Sequence, residues 1–181
     1  MKKLIFMMLF SFWSGYSLAT GAYADKATQE VSELVSGYLK ADDHNKLVII
    51  EKIESIVKNN PDNGNVKNMY ANILVADGQY LKGLKEIESI NIKNKRPVSS
   101  LTECMLKEKL SMPYNQCYKE VVKLSEKEKT KDINYLAALY LGSDKRFPAE
   151  KERLLQQGKI TTEEVEHFNL DRNKYINEIF P

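Results

Sequence analysis

The chain has 181 residues, 43% apolar and 29% charged, a composition that excludes a disordered tail and fits a soluble globular protein with one core. Lys and Arg number 27 against 25 Asp and Glu. No long block of one sign occurs, so neither nucleic acid nor a membrane surface is an expected partner.

At the N-terminus, Lys2 and Lys3 precede an apolar run from Leu4 to Trp13, and Ala22-Tyr23-Ala24 supplies the small residues of a cleavage site. Residues 1–24 therefore read as a secretory signal peptide cut after Ala24. The run is far short of the roughly 20 apolar residues that a spanning helix needs, and no Cys follows it for lipid attachment. The mature chain is expected to be free in a periplasm or secreted, with Lys and Arg reduced to 25 and balanced by the acids. Cys104 and Cys117 are the only cysteines. An even pair in an exported protein points to a disulfide, two buried free thiols being the alternative.

From Asp25 to Lys40, residues Val31, Leu34, Val35, Tyr38 and Leu39 recur at helical spacing. Asp42-Asp43-His44-Asn45 breaks the pattern and can cap a second helix, Leu47 to Val57, with Ile49, Ile53, Ile56 and Val57 on one stripe. Asn59-Asn60-Pro61-Asp62-Asn63-Gly64 closes this unit with strong turn formers. In the next, Val66, Met69, Tyr70, Ile73 and Leu74 form one stripe, Asp77-Gly78 turns the chain, and Tyr80, Leu81, Leu84, Ile87 and Ile90 form the return stripe.

These units repeat. Lys52-Ile53-Glu54-Ser55-Ile56 is echoed 34 residues later by Glu86-Ile87-Glu88-Ser89-Ile90. The same period links Gly37, Ala71 and Met105; Ile49, Gly83 and Cys117; Ile53, Ile87 and Val121; and Ile56, Ile90 and Leu124. A period of 34 with two helices per unit resembles the tetratricopeptide repeat (TPR) family. The likeness is strongest in the second unit, through Asn60-Pro61-Asp62-Asn63, Ala71, Asp77-Gly78-Gln79-Tyr80 and Gly83, although Lys67 and Leu74 stand where the family favours aromatics. A degenerate fourth unit follows, with Ala137 and Tyr140 on its first helix, and Ala149 repeating Cys117 after 32 residues. Pro113 and Pro148 are placed to open return helices, where a missing N–H costs nothing. Gly158 ends the last of them. Thr161-Thr162-Glu163-Glu164 then starts a segment whose Val165, Phe168, Leu170, Tyr175, Ile176, Ile179 and Phe180 can cover the end of a stack.

The resemblance implies an all-α, right-handed superhelical stack of helical hairpins. Repeats fall at about 30–63, 64–97, 98–129 and 130–158 of a single 25–181 domain, with a capping helix over 161–180. It places Cys104 opposite Cys117 within the third hairpin, so that a structural disulfide would join them. It also implies a groove lined by the first helix of each hairpin. Asn65, Asn68 and Asn72 would offer amide donors and acceptors to an extended segment of another protein, with Leu34, Tyr38, Thr102, Leu106, Lys109 and Asn134 contributed by neighbouring units. Lys109 stands nearly alone, which argues against recognition of an acidic C-terminus.

Signals for catalysis are weak. His44 and His167 are the only histidines; His167 follows Glu163 by four residues, a spacing that allows a carboxylate–imidazole pair, but a metal site needs more ligands converging. No phosphate loop or nucleophile elbow occurs, and no cofactor is expected. The expected function is non-enzymatic protein binding, as an adaptor or chaperone in assembly of a pilus or secretion apparatus, or as an immunity protein against an exported toxin. The alternative from another class is a cell-wall-acting enzyme with a Glu general acid.

Overall fold

The computed structural model describes residues 25–114 and 116–181, and the proposed signal peptide lies outside them. The described residues form ten α-helices in which sequence neighbours pack on one another, an arrangement consistent with a stack of helical hairpins. Two compact units are distinguished, one through Ile90 and one over Asn91–Pro181.

The first unit begins with α1 (Lys26–Tyr38), α2 (Asp43–Asn59) and α3 (Gly64–Ala76), followed by most of α4 (Tyr80–Lys93). Each of the first three starts on a side-chain cap: Asp25 accepts from the Thr28 amide, Asp42 from Asn45, and Asn63 from Asn65 and Val66. The cap at Asp42 sets the start of α2 earlier than the apolar stripe suggests, so Asp43, His44 and Asn45 are already helical. Val31, Val35, Ile50, Ile53, Val57, Val66, Met69 and Leu74 form one core, with α1 against α2 and α3.

Polar bonds at both ends of α1 reveal its direction relative to α3. At the start, Asn63 Nδ2 donates to Asp25 Oδ1 (2.8 Å) and to Thr28 Oγ1 (3.3 Å). At the finish, Tyr38 OH donates to Asp77 Oδ1 (2.8 Å). Start joins start and finish joins finish, so α1 and α3 run parallel, as the first helices of successive hairpins must. Within the hairpin of α3 and α4, a Cβ on Gly83 would stand 2.6 Å from Val75 Cγ2 and 3.4 Å from the Ala71 carbonyl oxygen. The helices approach there because glycine has no side chain.

The second unit contains α5 (Pro97–Lys109), α6 (Cys117–Glu128), α7 (Ile133–Leu141), α8 (Phe147–Gln156), α9 (Thr162–Val165), a 3₁₀ turn (Glu166–Asn169) and α10 (Arg172–Ile179). The middle of α7 is enclosed: Tyr135, Leu136, Ala137, Ala138 and Leu139 are all buried, as expected of a helix apolar on every side. It packs on α5, α6 and α8. Pro148 lies in the first turn of α8 as expected. Pro113 instead lies in the loop before α6, whose first residue is Cys117.

The 161–180 segment is not one capping helix. Thr161 and Glu164 make a reciprocal capping box, but α9 lasts a single turn and Asp171 caps a new start at α10 by accepting from Lys174 N. The intervening 3₁₀ turn rotates His167 away from the helical i,i+4 relation to Glu163; its Nδ1 lies 3.5 Å from Glu178 Oε2 instead. Tyr140, Phe147, Phe168 and Tyr175 form an aromatic cluster, Tyr140 meeting the other three at 5.4–5.5 Å between ring centroids. The Tyr140 hydroxyl donates to the Leu170 carbonyl.

Candidate protein-binding faces

On α3 the buried stripe of Val66, Met69, Tyr70, Ile73 and Leu74 leaves a polar stripe opposite. Asn65, Asn68 and Asn72 occupy it, all exposed, and their three- and four-residue spacing sets them in a row. Asn68 spends one amide donor on the Gly64 carbonyl (2.8 Å). Tyr70 lies on the buried side of α3, its phenol pushed up to about 12 by burial and by the nearby carboxylate of Glu54 on α2.

Beside this row, α1 contributes less than the repeat register suggests. Leu34 is half-buried, and Tyr38 is only 2% exposed. Burial, together with the hydrogen bond to Asp77, holds the Tyr38 phenol protonated well above its ordinary range. Tyr38 is therefore a post between α1 and α3 and offers little surface to a partner.

The corresponding residues of the second unit do not form an open face. Thr102 is half-buried and its hydroxyl donates to the Val98 carbonyl (3.1 Å). Leu106 is fully buried and Asn134 is 8% exposed, so both belong to the interior. Lys109 Nζ donates to Asn177 Oδ1 (2.8 Å) on α10, which packs against α5. The chain's own C-terminal helix thus lies on the helix that the repeat pattern assigns to a groove.

What fastens α10 is a cluster that the sequence reading did not single out. Glu108 on α5, its side chain 10% exposed, accepts from both Nε and a terminal nitrogen of Arg172, and from the Tyr118 hydroxyl. The guanidinium stands 5.4 Å from the ring centroids of both Tyr114 and Tyr118. Burial and the bond to Glu108 push the Tyr118 phenol up. The sequence signal, weak but present, is that Glu108 and Tyr114 lie between the two cysteines and Tyr118 directly follows the second.

Cys104 and Cys117 are joined, with Cα atoms 5.7 Å apart. Cys104 is buried and Cys117 half-buried. Both line a cavity of about 290 Å³ with Glu103, Lys107 and Tyr114, and Cys117 also lines a cleft of about 220 Å³ with Tyr118 and Arg172. Glu103 accepts from Asn91 Nδ2 (2.7 Å) and Lys107 Nζ (2.5 Å). Its burial favours the neutral acid, but those two hydrogen bonds outweigh it and hold the carboxyl below its ordinary range. A general acid needs the opposite shift.

His44 is exposed in the first turn of α2. Among the described residues, no three His, Cys, Asp or Glu side chains gather as a metal ion requires, and no helix is long and apolar enough to cross a membrane. Against protein-family models, curated proteins and solved structures, the chain shows no match.

Proposed function

We propose that this protein is a TPR-like stack of helical hairpins that binds another protein without catalysis, through the asparagine face of α3. The observation that carries this reading is the exposed row of Asn65, Asn68 and Asn72 on a helix whose opposite side is core. Exposed amides of fixed spacing suit the alternating N–H and C=O groups of an extended chain, because each amide both donates and accepts. The ionised state favoured for Glu103 speaks against the cell-wall enzyme with that residue as acid.

The disulfide fits an oxidising compartment, and cleavage after Ala24 would leave the α1 cap, Asp25, within the mature chain. An exported protein of this kind serves as an adaptor or chaperone for surface assembly, or as an immunity protein that occupies an exported toxin. A periplasmic pull-down comparing the wild type with a variant carrying Asn65→Ala, Asn68→Ala and Asn72→Ala tests the face. The expected outcome is loss of the captured partner. Its full retention would remove the α3 face from the proposal. Capture of one enzyme in stoichiometric amount marks the immunity role, and capture of structural subunits marks the adaptor role.

A further inference from the structure

We propose that the Cys104–Cys117 disulfide is a redox latch for the C-terminal helix α10, over and above any role as a staple. The receptor that grips Arg172 is built almost wholly from the segment this disulfide closes. Glu108 lies between the two cysteines, Tyr114 lies in the loop between them, and Tyr118 directly follows Cys117. Ser111, at φ 54°, is the left-handed residue that ends α5, its N–H donating to the Glu108 carbonyl. Gln116, at φ 60° where α6 begins, is not glycine, so this left-handed backbone needs surrounding structure to hold it. Gln116 makes no side-chain cap to α6. The disulfide ties Cys117, the first residue of α6, to Cys104 on α5, and the next residue, Tyr118, donates its hydroxyl to Glu108.

Reagents can reach the bond. Cys117 is half-buried and borders two surface cavities, one of them shared with Arg172. A thiolate of a dithiol reductant attacks Cys117 Sγ, the S–S bond breaks, and Cys104 leaves as a thiolate that takes up a proton. The second thiol of the reductant then closes on the mixed disulfide and releases Cys117, so that two electrons pass from the reductant to the protein. With the loop unfastened, Tyr114 and Tyr118 lose their fixed places around Arg172, and α10 is held to α5 by fewer bonds. In the oxidised state the helix is shut against α5. In the reduced state it opens and bares the surface around Glu108 and Lys109.

The experiment is hydrogen exchange on the full chain, oxidised and after dithiothreitol treatment, with mass spectrometry confirming two free thiols. Exchange over 172–179 is expected to accelerate by roughly tenfold or more on reduction, the scale of a local opening, while α1 and α2 keep their protection. Oxidised Glu108→Gln protein is expected to show the same selective opening, because the latch acts through that carboxylate. Unchanged protection of 172–179 in fully reduced protein overturns the proposal. So does uniform loss of protection along the chain, which would make the disulfide a staple only. Neither result bears on the asparagine face, which the pull-down tests separately.

Discussion

Gly83 is the residue at which the hairpin of α3 and α4 is most exacting, since the nearest neighbour of an added methyl is the stiff, β-branched Val75 at 2.6 Å. Gly83→Ala gains roughly 1 kcal/mol in helix propensity and loses about 1–3 kcal/mol by overpacking. A net destabilisation of up to about 2 kcal/mol in urea unfolding is therefore expected. A stabilised variant would mean that the helices separate freely. Gly83 was legible in the sequence as the small residue of the second unit where two helices approach, in register with Ile49 and Cys117, and it is buried. Arg172 was not legible. Nothing in its neighbourhood distinguishes it from any exposed basic residue, and its meaning comes from Glu108, 64 positions earlier in the chain.

At the scale of the element, burial follows the repeat. Ile53, Ile87 and Val121 are all buried, and Ile56, Ile90 and Leu124 are all half-buried, so these two columns keep one environment through three units, whereas Gly37 is exposed beside buried Ala71 and Met105, and Gly83 is buried beside half-buried Ile49 and Cys117. Where the structure departs from expectation, a local signal outweighed the periodic one. Asp42 capped α2 early, and Asp171 restarted the helix that the 161–180 stripe seemed to continue. The enclosure of α7 escaped notice because its run of apolar residues was read for one stripe only. Leu106 and Asn134, which the repeat register sets on the groove face, are buried, because a register says which helix face a residue occupies and not what covers it. The cap at Asn63 deserves a direct measurement, since it serves α3 and grips the start of α1 as well. Asn63→Ala is expected to cost about 1–2 kcal/mol, at the upper end for a cap. The exposed Asn68→Ala should stay within about 0.5 kcal/mol, and equal losses at the two sites would deny Asn63 its bridging role.

For the whole molecule, the titrating groups bound the range of pH in which it is most stable. Thr28 lowers Asp25 through its backbone and side-chain bonds, Arg146 holds Asp144 down to about 2, and the Lys174 amide lowers Asp171. A carboxylate depressed by folding stabilises the native state above its unfolded value, and that contribution disappears as pH falls through the folded one. The tyrosines act at the other end. Burial raises Tyr70 and Tyr135 to about 12 and moves Tyr38 and Tyr118 the same way. Their contribution is complete below about pH 10, the unfolded tyrosine value, and is lost as pH rises beyond it. Melting temperature should therefore be level from roughly pH 5 to pH 9 and fall on both sides. Continued stability at about pH 11 would show that these hydroxyls are solvated.

The bonds at the two ends of α1 turn a pair of helices into a gauge. Asp25 and Thr28 grip Asn63 at one end, and Tyr38 grips Asp77 at the other. The distance between those grips is a fixed number of helical steps, each about 1.5 Å long and about 100° around the axis. A residue inserted in the turns between α1 and α3 leaves both grips in reach. A residue inserted within α1 swings Tyr38 off Asp77 and breaks the match, even if every apolar side chain still finds a place. Length, enforced by polar contacts, decides which neighbour this helix accepts.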